Sequence, residues 1–328
     1  MADEHRKPLR AVAATLALRA LIGAAALTPA QAQSEARVIE GEWQDATRQR
    51  SVPWRAYLPP GGAQIPVVVY SHGLGGSRLA GEHWGRHWAA NGIASVHVQH
   101  AGSDSALLAR GEGDPMARLR GGMNSDNLAL RVGDVRFAIG EVERLAASGS
   151  EPWKNVDPAR LGVAGHSFGA VTTQALAGQR YPPDYAPSPW TDARVKAALA
   201  FSPSIRQAEP ARAFGHLSVP FFSVTGSKDA VPGVRDVDAD NRVLPFQGMP
   251  AGNKYLLVFD GAEHSAFSGA RAGELRLSST AQRVRPAIQH ASTLFWRAHL
   301  LGDRAAADAL AALPNATVLG PTDRFERK

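Results

Sequence analysis

Leu161–Gln179 reads LGVAGHSFGAVTTQALAGQ. The run Leu161–Ala164 is apolar and short, which suits a strand buried on both faces. Ala170–Gln179 carries apolar residues at helical spacing. Between them lies Gly165-His166-Ser167-Phe168-Gly169. A strand that feeds a helix through this pentapeptide turns sharply and lifts the serine hydroxyl above the sheet. Glycines flank the turn because a Cβ at either place would crowd the neighbouring strand and helix. The plain alternative is an ordinary strand-to-helix turn in which Ser167 only caps the helix. What the rest of the chain offers that serine separates the two.

A serine hydroxyl is a weak nucleophile at neutral pH and needs an adjacent base. Behind an elbow of this kind the partners follow in the chain order Ser, Asp or Glu, His. The apolar run Phe221–Thr225 ends in Gly226-Ser227-Lys228-Asp229, and the next, Tyr255–Phe259, ends in Asp260-Gly261-Ala262-Glu263-His264. Acid and base thus sit just past the carboxyl ends of strands, where an open parallel sheet places its active site. Asp229 is the expected orienting acid, since Asp260 and Glu263 are too near His264 in sequence to reach its ring from behind. His290 and His299 fall inside a helical pattern, so they point to packing or solvent.

Acyl transfer also needs donors for an oxyanion. Ser71-His72-Gly73-Leu74-Gly75-Gly76 follows the run Pro66–Tyr70, at the loop that supplies one backbone N–H. The expected donors are the amides of Leu74 and Phe168, each worth about 3–4 kcal/mol in the transition state. Leu74, Phe168 and Phe267 are expected to line the acyl pocket.

Further out, Arg37–Asp45 and Ser51–Tyr57 read as strands with no helix between them, which predicts an antiparallel start. Pro66–Tyr70, Ala94–Gln99 and Ala197–Phe201 add buried strands, and Arg78–Asn91, Asn127–Ala147, Phe168–Gln179 and Thr280–Leu301 read as helices. Strands alternating with helices predict an α/β class with a mostly parallel central sheet and helices on both faces. The stretches Ala101–Ser125 and Ala230–Asn253 are polar and Gly-rich, and no large lid domain is expected. Residues 1–32 read as an export signal: Arg6, Lys7 and Arg10 precede an Ala/Leu-rich run, and Ala30-Gln31-Ala32 offers a cleavage point before Gln33. Arg19 interrupts that run, so no stable membrane span is expected. Residues 33–328 then form a single catalytic domain.

The formal net charge is +6, but the basic residues are almost all scattered singly and no run of five or six like charges exists, so nucleic acid is not an expected partner. The absence of cysteine excludes disulfides, thiolate zinc sites and a thiol nucleophile. His83 and His87 have metal-binding spacing but alternate with Trp84 and Trp88, which favours packing. Asp236, Asp238 and Asp240 resemble the opening of a calcium loop, yet Asn241 and Gln247 stand where its glycine and bidentate Glu belong.

The stretches VVVYSHGLGGSR, VQHAGSD, RVGDVRFAI, GHSFGA, TGSKD and FDGAEHSAF resemble a bacterial group of α/β-hydrolases. That group is labelled predicted dienelactone hydrolases, and is related to platelet-activating-factor acetylhydrolases and cutinase-like polyester hydrolases. The resemblance spans roughly residues 50–312. It implies the α/β-hydrolase fold, a Ser167–Asp229–His264 triad, and Leu74 and Phe168 amides at the oxyanion. Two departures stand out: dienelactone hydrolases use a cysteine nucleophile, and polyester hydrolases carry Met where this chain has Phe168. The expectation is an exported serine carboxylic-ester hydrolase for short-to-medium esters, small or polymeric, with no metal or organic cofactor. Amide, peptide or polyester cleavage by the same triad is the alternative, and a catalytically silent binding module is another.

Overall fold

The β-branched run Val67–Val69 forms the middle of a strand, Ile65–Ser71, that is buried along its whole length. A computed structural model describes the chain over residues 36–109, 114–206, 208–231, 237–268 and 278–328. These residues fall in one compact unit, Ser34–Lys328, and the expected export signal lies outside them. In chain order the strands are β1 (Arg37–Asp45), β2 (Arg50–Leu58), β3 (Ile65–Ser71), β4 (Ala94–Val98), β5 (Val156–His166), β6 (Ala197–Phe201), β7 (Phe221–Lys228), β8 (Lys254–Glu263) and β9 (Arg324–Arg327). They join in one sheet in the order β1-β2-β4-β3-β5-β6-β7-β8-β9. Pairings from β4 through β8 are parallel, whereas β1, β2 and β9 run antiparallel to their neighbours. The antiparallel start is as the sequence predicts. β9 was not foreseen: four mostly charged residues pair with β8 through the backbone and cover its edge.

Alternate residues of each inner strand face opposite layers. Val67 and Val69 pack with Val132, Val135 and Ile139 of α4 (Ser125–Ala147) and with Leu176 of α5 (Phe168–Ala177). Val68 and Tyr70 face the other layer, built on Trp84 and Trp88 of α1 (Glu82–Ala90) and Phe295 and Trp296 of α8 (Ser279–Leu300). Each such side chain, fully buried, contributes about 1.5–3 kcal/mol. The two layers explain why the inner strands read as unbroken apolar runs. The helix expected from Arg78 starts instead at Glu82, because Gly81 takes a left-handed φ of 72° immediately before it.

Two polar segments hold helices that the periodicity did not reveal. Within Ala101–Ser125 lie α2 (Ala106–Ala109) and α3 (Pro115–Gly122); within Ala230–Asn253 lies α7 (Ala239–Gly248). α3 and α7 start on the side-chain caps of Asp114 and Asp238. Thus Asp238, part of the calcium-like run, caps a helix, while Asp236 lies outside the described residues. The remaining helices are α6 (Pro210–Phe214) and α9 (Arg304–Ala311).

Candidate active site

Ser167 links β5 to α5 at φ 56° and ψ −115°, a conformation that L-residues rarely adopt. The neighbouring glycines make that turn possible. A Cβ on Gly165 would strike the Gly169 carbonyl, and one on Gly169 would strike the Ser71 carbonyl. Gly73 lies against the elbow from the other side, where a Cβ would stand 3.5 Å from Cβ of Ser167.

The expected partners reach the serine. Ser167 Oγ lies 3.0 Å from His264 Nε2, and His264 Nδ1 lies 2.7 Å from Asp229 Oδ1. Nδ1–H donates to the carboxylate, which leaves Nε2 free to accept from the hydroxyl. His264 is 21% exposed and Asp229 is fully buried, so solvent reaches the base but not the acid. Burial alone would raise the Asp229 carboxyl, but the His264 hydrogen bond and the Arg242 charge outweigh it and hold it at about 2. Thr225 Oγ1 donates to its second oxygen at 2.7 Å. Asp260 instead accepts from Ser227 Oγ and faces solvent.

Two residues around the base escaped the sequence reading. His166, inside the elbow itself, approaches the His264 carbonyl with Nε2 at 3.2 Å, its ring centroid 4.7 Å from that of His264. Arg242 of α7 lies 3.3 Å from both Asp229 Oδ1 and His264 Nδ1. No spacing rule would have flagged an arginine in a polar segment whose helix was itself missed.

The loop after β3 rests on a buried polar cluster. Arg131 of α4 donates through Nη1 to the His72 carbonyl at 2.7 Å and through Nε to Ser103 Oγ at 2.8 Å, and its guanidinium lies 4.4 Å over the Phe168 ring. Ser71 Oγ lies 2.9 Å from His100 Nε2, and His100 Nδ1 lies 3.1 Å from Asp134 Oδ2. Burial pushes His100 down to about 4 and so keeps it neutral. Asp134 is held at about 2, since hydrogen bonds from His100 and Arg50 outweigh the burial that would raise it. The stretches VQHAGSD and RVGDVRFAI therefore meet beneath the glycine-rich loop. Among the described residues, no backbone hydrogen bond takes up the amide of Leu74 or of Phe168.

The expected aromatic lining needs correction. Phe267 has no exposed surface; it packs beside Phe259, and its carbonyl accepts from Trp84 Nε1. The Phe168 ring is likewise buried, under Arg131. Leu74 is only half-buried, and leucines of α2 and α3 lie against the same glycine-rich loop. A Cβ on Gly122 would meet Leu107 and Leu74, and one on Gly75 would meet Leu119 and Leu108.

No protein-family model matches the chain, and no curated protein matches it as a relative. Among the described residues no helix is long and apolar enough to cross a membrane.

Proposed function

We propose that the chain is an exported serine hydrolase of the α/β-hydrolase fold that cleaves carboxylic esters through an acyl-enzyme. The observation that carries this reading is the relay from Ser167 through His264 to Asp229, set on a backbone turn that only a constrained site would maintain. The placement of the partners supports it as well: the serine follows β5, the acid follows β7, the base follows β8, and the glycine-rich loop follows β3.

In this mechanism Ser167 Oγ attacks the ester carbonyl while its proton passes to His264 Nε2. The Leu74 and Phe168 amides donate to the oxyanion, and Asp229 stabilises the imidazolium. The imidazolium then protonates the leaving alcohol as the ester C–O bond breaks, which leaves the acyl group on Ser167. A water, deprotonated by the same nitrogen, attacks the acyl-enzyme, and the acid departs as Ser167 regains its proton. A silent binding module would have no use for an intact relay.

Ser167→Ala should keep the fold and lose about 10⁶ in turnover on p-nitrophenyl esters. A fluorophosphonate should add once to the wild type and not to the variant. Retention of a tenth of wild-type activity by a clean Ser167→Ala preparation contradicts the assignment.

A further inference from the structure

Arg242 is 2% exposed and spends its donors on the candidate site. Nε donates to the Asp229 carbonyl at 3.1 Å and lies 3.3 Å from Asp229 Oδ1. Nη1 donates to the Ser202 carbonyl at 2.9 Å. Ser202 is a buried residue at φ 56°, and Ser167 N bonds the carbonyl of the residue before it, Phe201. Nη2 stands 3.3 Å from His264 Nδ1. That last contact is not a hydrogen bond, because Nδ1 already carries the proton it donates to Asp229. It is a guanidinium placed against the edge of an imidazole.

We propose that Arg242 is a positioning residue of the catalytic centre: it clamps Asp229 through its backbone carbonyl and its carboxylate, and its charge opposes protonation of His264. This rests on the serine-hydrolase reading above. The two neighbours of the ring act in opposite directions. The Asp229 carboxylate favours the imidazolium that forms as the serine attacks. The Arg242 cation disfavours the imidazolium in every state, which keeps the resting ring available as a base and leaves the carboxylate to offset the charge during attack. Each lies within the distance at which charges shift a neighbour's protonation. The other titratable groups about the ring leave this balance intact. His166 of β5 is kept neutral by burial, and Glu263, the preceding residue, is exposed. Asp238, the cap of α7, acts on Arg242 and helps hold its charge, and the guanidinium stays charged at any pH the protein would meet.

The experiment is the titration of His264 by NMR of ring-labelled histidine, in Ser167→Ala protein without substrate, compared among Arg242, Arg242→Met and Arg242→Lys. Arg242→Met should raise the midpoint by about one pH unit or more, and Arg242→Lys should restore much of the wild-type value. Arg242→Gln keeps a donor for Asp229 while removing the charge, and is the variant to read if Arg242→Met does not fold. With Ser167 in place, the acid limb of the kcat/KM profile should move in the same direction. A purely structural arginine would lower activity at every pH and leave the midpoint alone. Coincident midpoints in folded variants, or a fall on removing the charge, overturn the proposal. The NMR titration needs no substrate, so failure to find a hydrolysed ester counts against the hydrolase reading and not against this one.

Discussion

The Asp229 carboxylate meets two donors and a cation at once: His264 at 2.7 Å, Thr225 at 2.7 Å and the Arg242 guanidinium at 3.3 Å. A buried carboxylate so surrounded stays ionised and holds the imidazole in one tautomer. Asp229→Asn should therefore cost about 10⁴ in kcat, the size of the tautomer effect in a well-studied triad. Asp260→Asn should leave activity close to wild type, since its exposed carboxylate serves Ser227 and the loop around it. Steady-state kinetics of the two variants decide the matter, and the reverse ranking would mean that the acid has been misassigned. Ser167, Asp229 and His264 were legible as a set because each ends an apolar strand, and the structure brings the three side chains within hydrogen-bond distance. Phe267 misled the reading because it stands three residues from His264 in sequence, while the 3-10 turn His264–Phe267 sends its ring into the core. Arg242 could not be read, since its reach to Asp229 depends on where α7 lies.

At the scale of elements, long apolar runs announced themselves and short capped ones did not. α2 has too few residues for a periodic signal, α3 lies in a polar, Gly-rich stretch, and α7 is interrupted by Pro245, so the caps Asp114 and Asp238 are the local signals for two of them. α2 and α3 stand against the glycine-rich loop, where their leucines approach Gly75 and Gly122. They expose Leu108 and Met116, and Leu107 and Leu74 both close on Gly122. At four and eight residues, α2 and α3 are short elements rather than a lid domain. The stretch Arg180–Val195, with its prolines, contains no helix either. Rates on p-nitrophenyl esters should fall from butyrate to palmitate, with no jump as a long-chain ester passes its critical micelle concentration. A several-fold rise there would reveal a moving lid over the site.

Across the whole molecule, burial keeps several histidines neutral: His97, His100 and His299 are pushed down to about 4, and His83 to about 3. The unfolded chain takes up these protons from about pH 6.5, whereas the folded one does not until near 4. Stability is therefore fully present above about 6.5 and falls as pH drops towards 4. For His97 and His100, both buried, the loss approaches about 1.4 kcal/mol per pH unit each. Asp134 and Asp229, held at about 2 against an unfolded value near 3.9, extend the loss to lower pH. Urea midpoints measured from pH 7 to pH 4 should decline throughout, and a flat series would contradict the burial of these rings. One of these groups carries a lesson for recognising enzymes by shape. Ser71, His100 and Asp134 are joined through the same atom types as Ser167, His264 and Asp229, yet Ser71 lies in an ordinary strand and is 2% exposed. A template search that matches only three side chains would find this molecule twice. Backbone strain at the serine and a route for solvent tell the proposed catalytic relay from its buried double.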